Sequence, residues 1–67
     1  MKIVINGKVK EFKRDKMTPQ DLVNYLEISG QRYAIEQNGE IIPRSDFLER
    51  DIKDGDMLEI VGAVGGG

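Results

Sequence analysis

The chain has 67 residues, enough for one small domain, and it contains neither cysteine nor histidine. Disulfides, thiol chemistry, histidine acid–base catalysis and ordinary zinc sites are therefore excluded. Its 10 basic and 12 acidic residues give a net charge of −2, which does not favour nucleic acid or an anionic membrane as a partner. An enzyme acting alone is disfavoured, so we expect a binding or carrier module with no metal and no cofactor of its own.

The chain has no stretch near the roughly 20 apolar residues that a membrane span requires. Residues 1–5 carry one lysine and an apolar run that is too short for a signal peptide. We therefore expect a cytoplasmic protein with no membrane partner, monomeric on its own.

Two Asn-Gly pairs predict two β-hairpins, because both residues of such a pair tolerate the positive φ of a type I′ turn. The first pair lies between residues 2–5 and 8–12, and the second between residues 33–37 and 40–42. The arms are rich in β-branched and aromatic residues, which is typical of strands. Pro43 ends the last arm, since proline cannot donate to a strand ladder.

One helix is predicted over residues 19–27. Thr18 can cap the free N–H groups, Pro19 suits the first helical position, and Asp21 in the first turn is favoured by the helix dipole. Such a short helix is unstable alone and must pack on the sheet. The stripe expected to face the sheet consists of Leu22, Val23, Tyr25 and Leu26.

The remaining segment predicts a helical turn, a tight turn and a last strand. Ser45 is a candidate cap for the helical turn, which is expected to place Phe47 and Leu48 under the sheet edge. Asp54-Gly55-Asp56 predicts a tight turn before a strand over residues 57–61.

This order of elements predicts an α+β roll with one helix packed on a four- to five-stranded mixed sheet. The first and last strands are the most apolar, so we expect them to lie parallel at the sheet centre. Residues 1–61 form the predicted domain, and residues 62–67 form a flexible, glycine-rich tail.

The alternation of the last strand predicts a partner surface. Side chains on a strand point alternately to opposite faces, so if Glu59 faces water, Met57 and Val61 share its face. Val4 points outward by the same reasoning. Val4, Met57 and Val61 then form an apolar patch beside the root of the tail, which is typical of a docking surface. Scattered apolar residues on an ordinary surface are the alternative interpretation.

The tail ends in Gly65, Gly66 and Gly67. Glycine has no Cβ, so this segment can enter a narrow slot and leaves the terminal carboxylate of Gly67 sterically open. A frayed terminus without function is the alternative.

Five segments spread over nearly the whole chain resemble one known family. They are residues 3–7, residues 18–26, residues 34–44 with Ile42-Pro43-Arg44, the turn Asp54-Gly55-Asp56, and Gly66-Gly67. Their combination resembles the ThiS-like sulfur carriers of the ubiquitin-like β-grasp family. A third glycine, Gly65, precedes the usual terminal pair and is expected to be harmless.

The resemblance implies a protein cosubstrate rather than an enzyme. It implies that an E1-like, ThiF-like enzyme uses ATP to adenylate the Gly67 carboxylate, so that ATP belongs to that enzyme. A persulfide-bearing protein then supplies sulfur, and the resulting thiocarboxylate on Gly67 donates it to a ThiG-like thiazole synthase in thiamine (thiazole) biosynthesis.

Other functions of the same fold stay open at this point. A sulfur carrier for molybdopterin biosynthesis has the same fold and tail but is usually longer. Conjugation to a lysine, as in ubiquitin, would use the same acyl chemistry. A regulatory or RNA-associated β-grasp binding module would be supported by a basic sheet face, which the charge balance does not favour. A β-grasp ferredoxin is excluded by the missing cysteines.

Overall fold

The computed structural model describes residues 1–28 and 33–62, and the α-helix of this part of the chain packs on a five-stranded mixed sheet. The elements are β1 (Lys2–Ile5), β2 (Lys8–Glu11), α1 (Pro19–Leu26), β3 (Tyr33–Gln37), β4 (Glu40–Ile41), a 3-10 helix (Arg44–Asp46) and β5 (Met57–Gly62). The strand order β2-β1-β5-β3-β4 places β1 and β5 side by side and parallel at the centre, as predicted. No helix among these residues is long and apolar enough to cross a membrane.

Both predicted hairpins are present, and both turns have the backbone that Asn-Gly favours. The φ angle is 49° at Asn6 and 83° at Gly7 in the first turn, and 51° at Asn38 and 90° at Gly39 in the second. Positive φ at both central residues is what a type I′ turn requires. The strand β4 is one residue shorter than predicted. It ends at Ile41, and the buried Ile42 lies just beyond it.

The helix α1 begins with a reciprocal capping box. The Thr18 hydroxyl accepts a hydrogen bond from the Asp21 N–H at 3.1 Å, and the Asp21 carboxylate accepts one from the Thr18 N–H at 3.0 Å. This backbone hydrogen bond from Thr18 is the main reason that the pKa of Asp21 is lowered. Pro19 occupies the first helical position, as predicted. The helix ends at Leu26, one residue earlier than predicted, and is capped by Glu27, whose φ of 55° is left-handed.

The predicted helix stripe is correct except at Tyr25. Leu22 and Val23 are buried, and Leu26 packs partly against the core. Tyr25 is instead 55% exposed, and its ring lies edge-on to Phe12 with the centroids 4.8 Å apart. Tyr25 therefore covers the rim of the core and leaves its polar end near water.

The buried apolar side chains form one cluster between α1 and the sheet. Ile3, Ile5 and Leu58 point into it from the two central strands, because they alternate with Val4 and Met57 on the opposite face. The full set is Ile3, Ile5, Phe12, Met17, Leu22, Val23, Ile35, Ile42, Phe47, Ile52 and Leu58. Burial of this set is the main favourable term that holds the small domain together.

The segment after β4 differs from its prediction in two respects. The 3-10 helix is preceded by Pro43 as its N-cap, with no side-chain capping hydrogen bond, so Ser45 lies inside the helix and is not its cap. Phe47 is buried as predicted, but Leu48 is 76% exposed. Phe47 and Leu48 follow the 3-10 helix in a turn, and only Phe47 points back into the core.

Candidate functional site

The strand register defines a sheet surface turned away from the core, which we call the open face. Residues directly paired on neighbouring strands point to the same side of a sheet. Val4 is paired with both Val9 and Met57, and Glu36 is paired with both Ile41 and Glu59. The open face comprises Lys2, Val4, Val9, Glu11, Ala34, Glu36, Ile41, Met57, Glu59 and Val61.

All three predicted docking residues lie on the open face, but they do not form one contiguous patch. Val4 and Met57 are direct partners on β1 and β5. Val61 is four residues further along β5, about 13 Å from Met57 at the usual rise of a strand. Glu59 lies between them on the same face. Met57 is 59% exposed and Val61 is 52% exposed, whereas Val4 is half-buried between its neighbours.

The register adds apolar side chains to the open face that the sequence reasoning did not assign to it. Val9 extends the pair of Val4 and Met57 onto β2, Ala34 lies opposite Val61, and Ile41 extends the face onto β4. Val9 and Ile41 are both about two-thirds exposed. For Val9 and Ile41 the two-residue turns carried this signal, because a tight hairpin fixes which residues face each other.

The start of β5 is held by Asp56, which ties it to the turn of the second hairpin. One carboxylate oxygen accepts hydrogen bonds from the Lys53 N–H at 2.8 Å and the Gln37 amide at 2.7 Å, and the other accepts one from the Asn38 amide at 3.0 Å. Asn38 in turn accepts a hydrogen bond from the Met57 N–H at 2.9 Å. This network fixes the position of Met57 relative to β3 at the start of β5.

These hydrogen bonds determine the charge state of Asp56. Partial burial disfavours the carboxylate, but the hydrogen bonds from Lys53, Asn38 and Gln37 outweigh it and lower the pKa of Asp56 below its reference value of 3.8. A carboxyl group whose pKa is lower in the folded state stabilises the fold above its unfolded pKa. That stabilisation is lost as the pH falls through the lower, folded value.

We expect Asp56→Asn to lower the free energy of unfolding at neutral pH by about 1–3 kcal/mol, because a charged acceptor of three hydrogen bonds is removed. The loss should shrink as the pH falls from the unfolded-state value through the lower pKa of folded Asp56, because the parent protein then also loses its charged acceptor. Urea unfolding of both proteins between pH 7 and pH 2 measures the difference. A loss that is the same at every pH would contradict this account of Asp56.

The root of the tail is fixed by the first two residues of β3. Ala34 is paired with Val61 and Tyr33 with Gly62, so β5 runs one residue into the segment predicted as tail. The Arg44 guanidinium lies 4.1 Å from the centroid of the Tyr33 ring and donates a hydrogen bond to the Tyr33 carbonyl at 3.0 Å. This contact holds Tyr33 against the sheet at the pair that ends β5. Gly65, Gly66 and Gly67 lie outside the described residues.

The helix α1 on the sheet, the parallel central strands and the two flanking hairpins define the class of protein, which is a ubiquitin-like β-grasp domain. The family model of the ThiS family matches residues 3–67. The chain therefore belongs to the ThiS family, the sulfur carriers of thiamine biosynthesis. This membership confirms the resemblance seen in the sequence.

Individual relatives agree with this membership. The chain is 38% identical over 63 residues to the sulfur carrier protein ThiS of Bacillus subtilis, which covers 94% of this chain and 96% of that protein. It is 42% identical over its whole length to part of a thiazole synthase from Paramagnetospirillum magneticum, of which it spans only 20%. The crystal structure of the thiamine biosynthesis protein ThiS from Geobacter metallireducens superposes with a TM-score of 0.87 at 29% identity, over 100% of both chains.

Proposed function

We propose that this protein carries sulfur for thiazole formation as a thiocarboxylate on Gly67. The observation that carries the proposal is the ThiS family match over residues 3–67, because that match includes the glycine run. The absence of cysteine and histidine from the sequence agrees with a carrier whose partners supply the catalytic groups. The protein is then a cosubstrate, and ATP is bound by the activating enzyme.

The chemistry begins with the Gly67 carboxylate. A carboxylate oxygen attacks the α-phosphorus of ATP, pyrophosphate leaves, and an acyl adenylate forms. The terminal sulfur of a partner's persulfide then attacks the acyl carbon and displaces AMP. A partner thiol reduces the sulfur–sulfur bond, which leaves the thiocarboxylate on Gly67. Glycine suits these steps because no side chain obstructs the acyl carbon.

The proposed partners follow from this sequence of reactions. An E1-like adenylating enzyme activates the tail, a persulfide protein supplies the sulfur, and a thiazole synthase accepts it. The similarity to part of the thiazole synthase from P. magneticum supports a thiazole synthase as the acceptor. Together with the B. subtilis relative, it favours the thiamine role over the molybdopterin role.

The geometry of the domain supports delivery of the tail. The central strand β5 is paired on both sides and carries the chain to Gly62 at the sheet end. We propose that Gly65 and Gly66 form the slender approach through which Gly67 reaches a partner's active site. Val4, Met57 and Val61 on the open face then dock the partner, with Val61 beside the root of the tail and the pair of Val4 and Met57 about 13 Å further along β5.

The carrier function is tested by the intact mass of the protein. Incubation with an E1-like adenylating enzyme, ATP and a persulfide donor should raise the mass by about 16 Da, because sulfur replaces one carboxylate oxygen on the acyl group. The gain should require ATP and disappear when the thiocarboxylate is consumed by thiazole synthase. An unchanged mass with an enzyme that thiocarboxylates the B. subtilis relative would refute the proposal.

The docking role is tested by Met57→Glu. We expect this change to weaken binding of the adenylating enzyme roughly tenfold or more, because a charge would be buried against an apolar partner surface. The unfolding free energy should change by less than about 1 kcal/mol, since Met57 is exposed. Isothermal titration calorimetry measures the affinity. Leu48→Glu is the matched control, because Leu48 is exposed away from the open face, and equal effects of the two changes would rule out the docking role.

A further inference from the structure

The open face places two like charges directly opposite each other. Glu36 on β3 is paired with Glu59 on β5, and both side chains point away from the core. The Asn38 N–H donates to the Met57 carbonyl at 2.8 Å, which identifies this neighbouring pair as a hydrogen-bonded one. Such pairs recur at every second residue of an antiparallel ladder, so Glu36 and Glu59 form another, with Cα atoms about 5.5 Å apart.

This arrangement opposes the stability of the sheet, because like charges directly opposite each other are unfavourable. On the other half of the open face the opposed charges have opposite signs, because Lys2 on β1 is paired with Glu11 on β2. Such a pair is favourable. Among the described residues, the salt bridges are Arg14–Asp21, Arg50–Glu40 and Arg50–Asp46. None of them involves Glu36 or Glu59.

Apolar side chains surround the two carboxylates. Met57 and Val61 lie two residues to either side of Glu59 on β5, on the same face. Ile41 lies directly opposite Glu36 on β4 and is 65% exposed. A partner that covers these apolar groups also removes water from the two carboxylates. Removing water from two unpaired carboxylates is unfavourable, so docking would require a positive charge between Glu36 and Glu59.

We infer that the open face receives a partner surface that presents one arginine flanked by apolar side chains, and that its guanidinium bridges Glu36 and Glu59. The inference rests on the proposed function, because the partner is the adenylating enzyme that activates the tail.

Charge complementarity selects an arginine for this position. A guanidinium is planar and has five N–H donors, so it can hydrogen-bond to two carboxylates at once. A lysine ammonium is a compact point charge and is more strongly hydrated. The apolar groups beside the pair, Met57, Val61 and Ile41, suit the methylene stem of an arginine and the side chains around it.

The test compares partner binding by the full chain and by Glu36→Gln/Glu59→Gln. We expect the double variant to bind the adenylating enzyme at least about tenfold more weakly, with a smaller dependence of the affinity on salt. Its urea midpoint should be equal to or higher than that of the parent protein, because the like-charge pair is gone. Glu49→Gln is the matched control, since it removes an exposed charge outside the open face. Parent-like affinity of the double variant, or a loss no larger than that of Glu49→Gln, would overturn the inference.

The cation itself is identified by protection from chemical modification. Phenylglyoxal modifies arginines of the partner, and mass spectrometry of the complex should show one arginine that the parent protein protects and the double variant does not. Protection of a lysine amine from acetylation in its place would overturn the guanidinium assignment. If the adenylating enzyme does not bind the parent protein, the proposed function fails and the inference fails with it. If the parent protein is thiocarboxylated but the double variant binds equally well, the inference alone fails.

Discussion

Removal of Gly67 should abolish thiocarboxylate formation while leaving the unfolding free energy of the domain unchanged. The shortened chain still ends in a glycine carboxylate, so its chemistry is the same and only its reach differs. One residue of extended chain spans about 3.5 Å, and displacements near 1 Å already cost about 100-fold in rate. We therefore expect the rate of the mass gain to fall by at least about 100-fold.

The matched control for this truncation is Gly67→Ala, which keeps the length of the tail and adds one methyl group beside the acyl carbon. It should react more slowly than the parent protein but faster than the shortened chain if reach is decisive. Urea unfolding checks that all three domains are equally stable. A shortened chain that gains mass at the parent rate would show that the reacting group is not placed by the length of the tail.

Replacement of Leu58 by alanine should destabilise the domain more than any surface change considered above. Leu58 is 1% exposed in the central strand and is paired with Ile5 on the parallel side. Truncation of a buried leucine costs about 2–5 kcal/mol, through lost burial and the cavity that remains. A domain of this size has a total stability of roughly 3–10 kcal/mol, so Leu58→Ala should leave a large unfolded fraction at physiological temperature.

The neighbouring change Met57→Ala is the control for this prediction, because Met57 lies on the same strand but is exposed. Its unfolding free energy should stay within about 1 kcal/mol of that of the parent protein. Thermal and urea unfolding, followed by far-ultraviolet circular dichroism, measure both variants. Similar losses for the two variants would mean that burial in the central strand does not dominate the stability.

The elements that were predicted correctly are those with local causes. The hairpins follow from two Asn-Gly turns, and the start of α1 follows from Thr18 and Pro19. The inward direction of Ile3 and Leu58 follows from simple alternation along a strand. The predictions for Tyr25 and Leu48 were wrong. Whether these side chains are buried depends on residues that are distant in the sequence, and a local sequence pattern does not specify those contacts.

Only part of the candidate site was predicted, because the rest also depends on residues that are distant in the sequence. The pairing of Val4 with Met57 follows once the first and last strands are taken as parallel neighbours. The distance between Met57 and Val61, and the opposition of Glu36 to Glu59, depend on the register of β3 against β5. That register is set by long-range contacts such as those of Asp56 with Asn38, so no short sequence pattern carries it.

The position of β5 in the sheet has a consequence for how the protein is made. Among the strands of residues 1–28 and 33–62, the one that joins the two hairpins is the last to be synthesised, although it lies at the centre of the sheet. Until Met57 and the residues after it have left the ribosome, β1 and β3 have no common neighbour, and the open face cannot assemble. Chains that end before β5 should therefore fail to fold, because the core then lacks Leu58 and the sheet lacks its central strand. The topology thus couples assembly of the open face to the synthesis of β5.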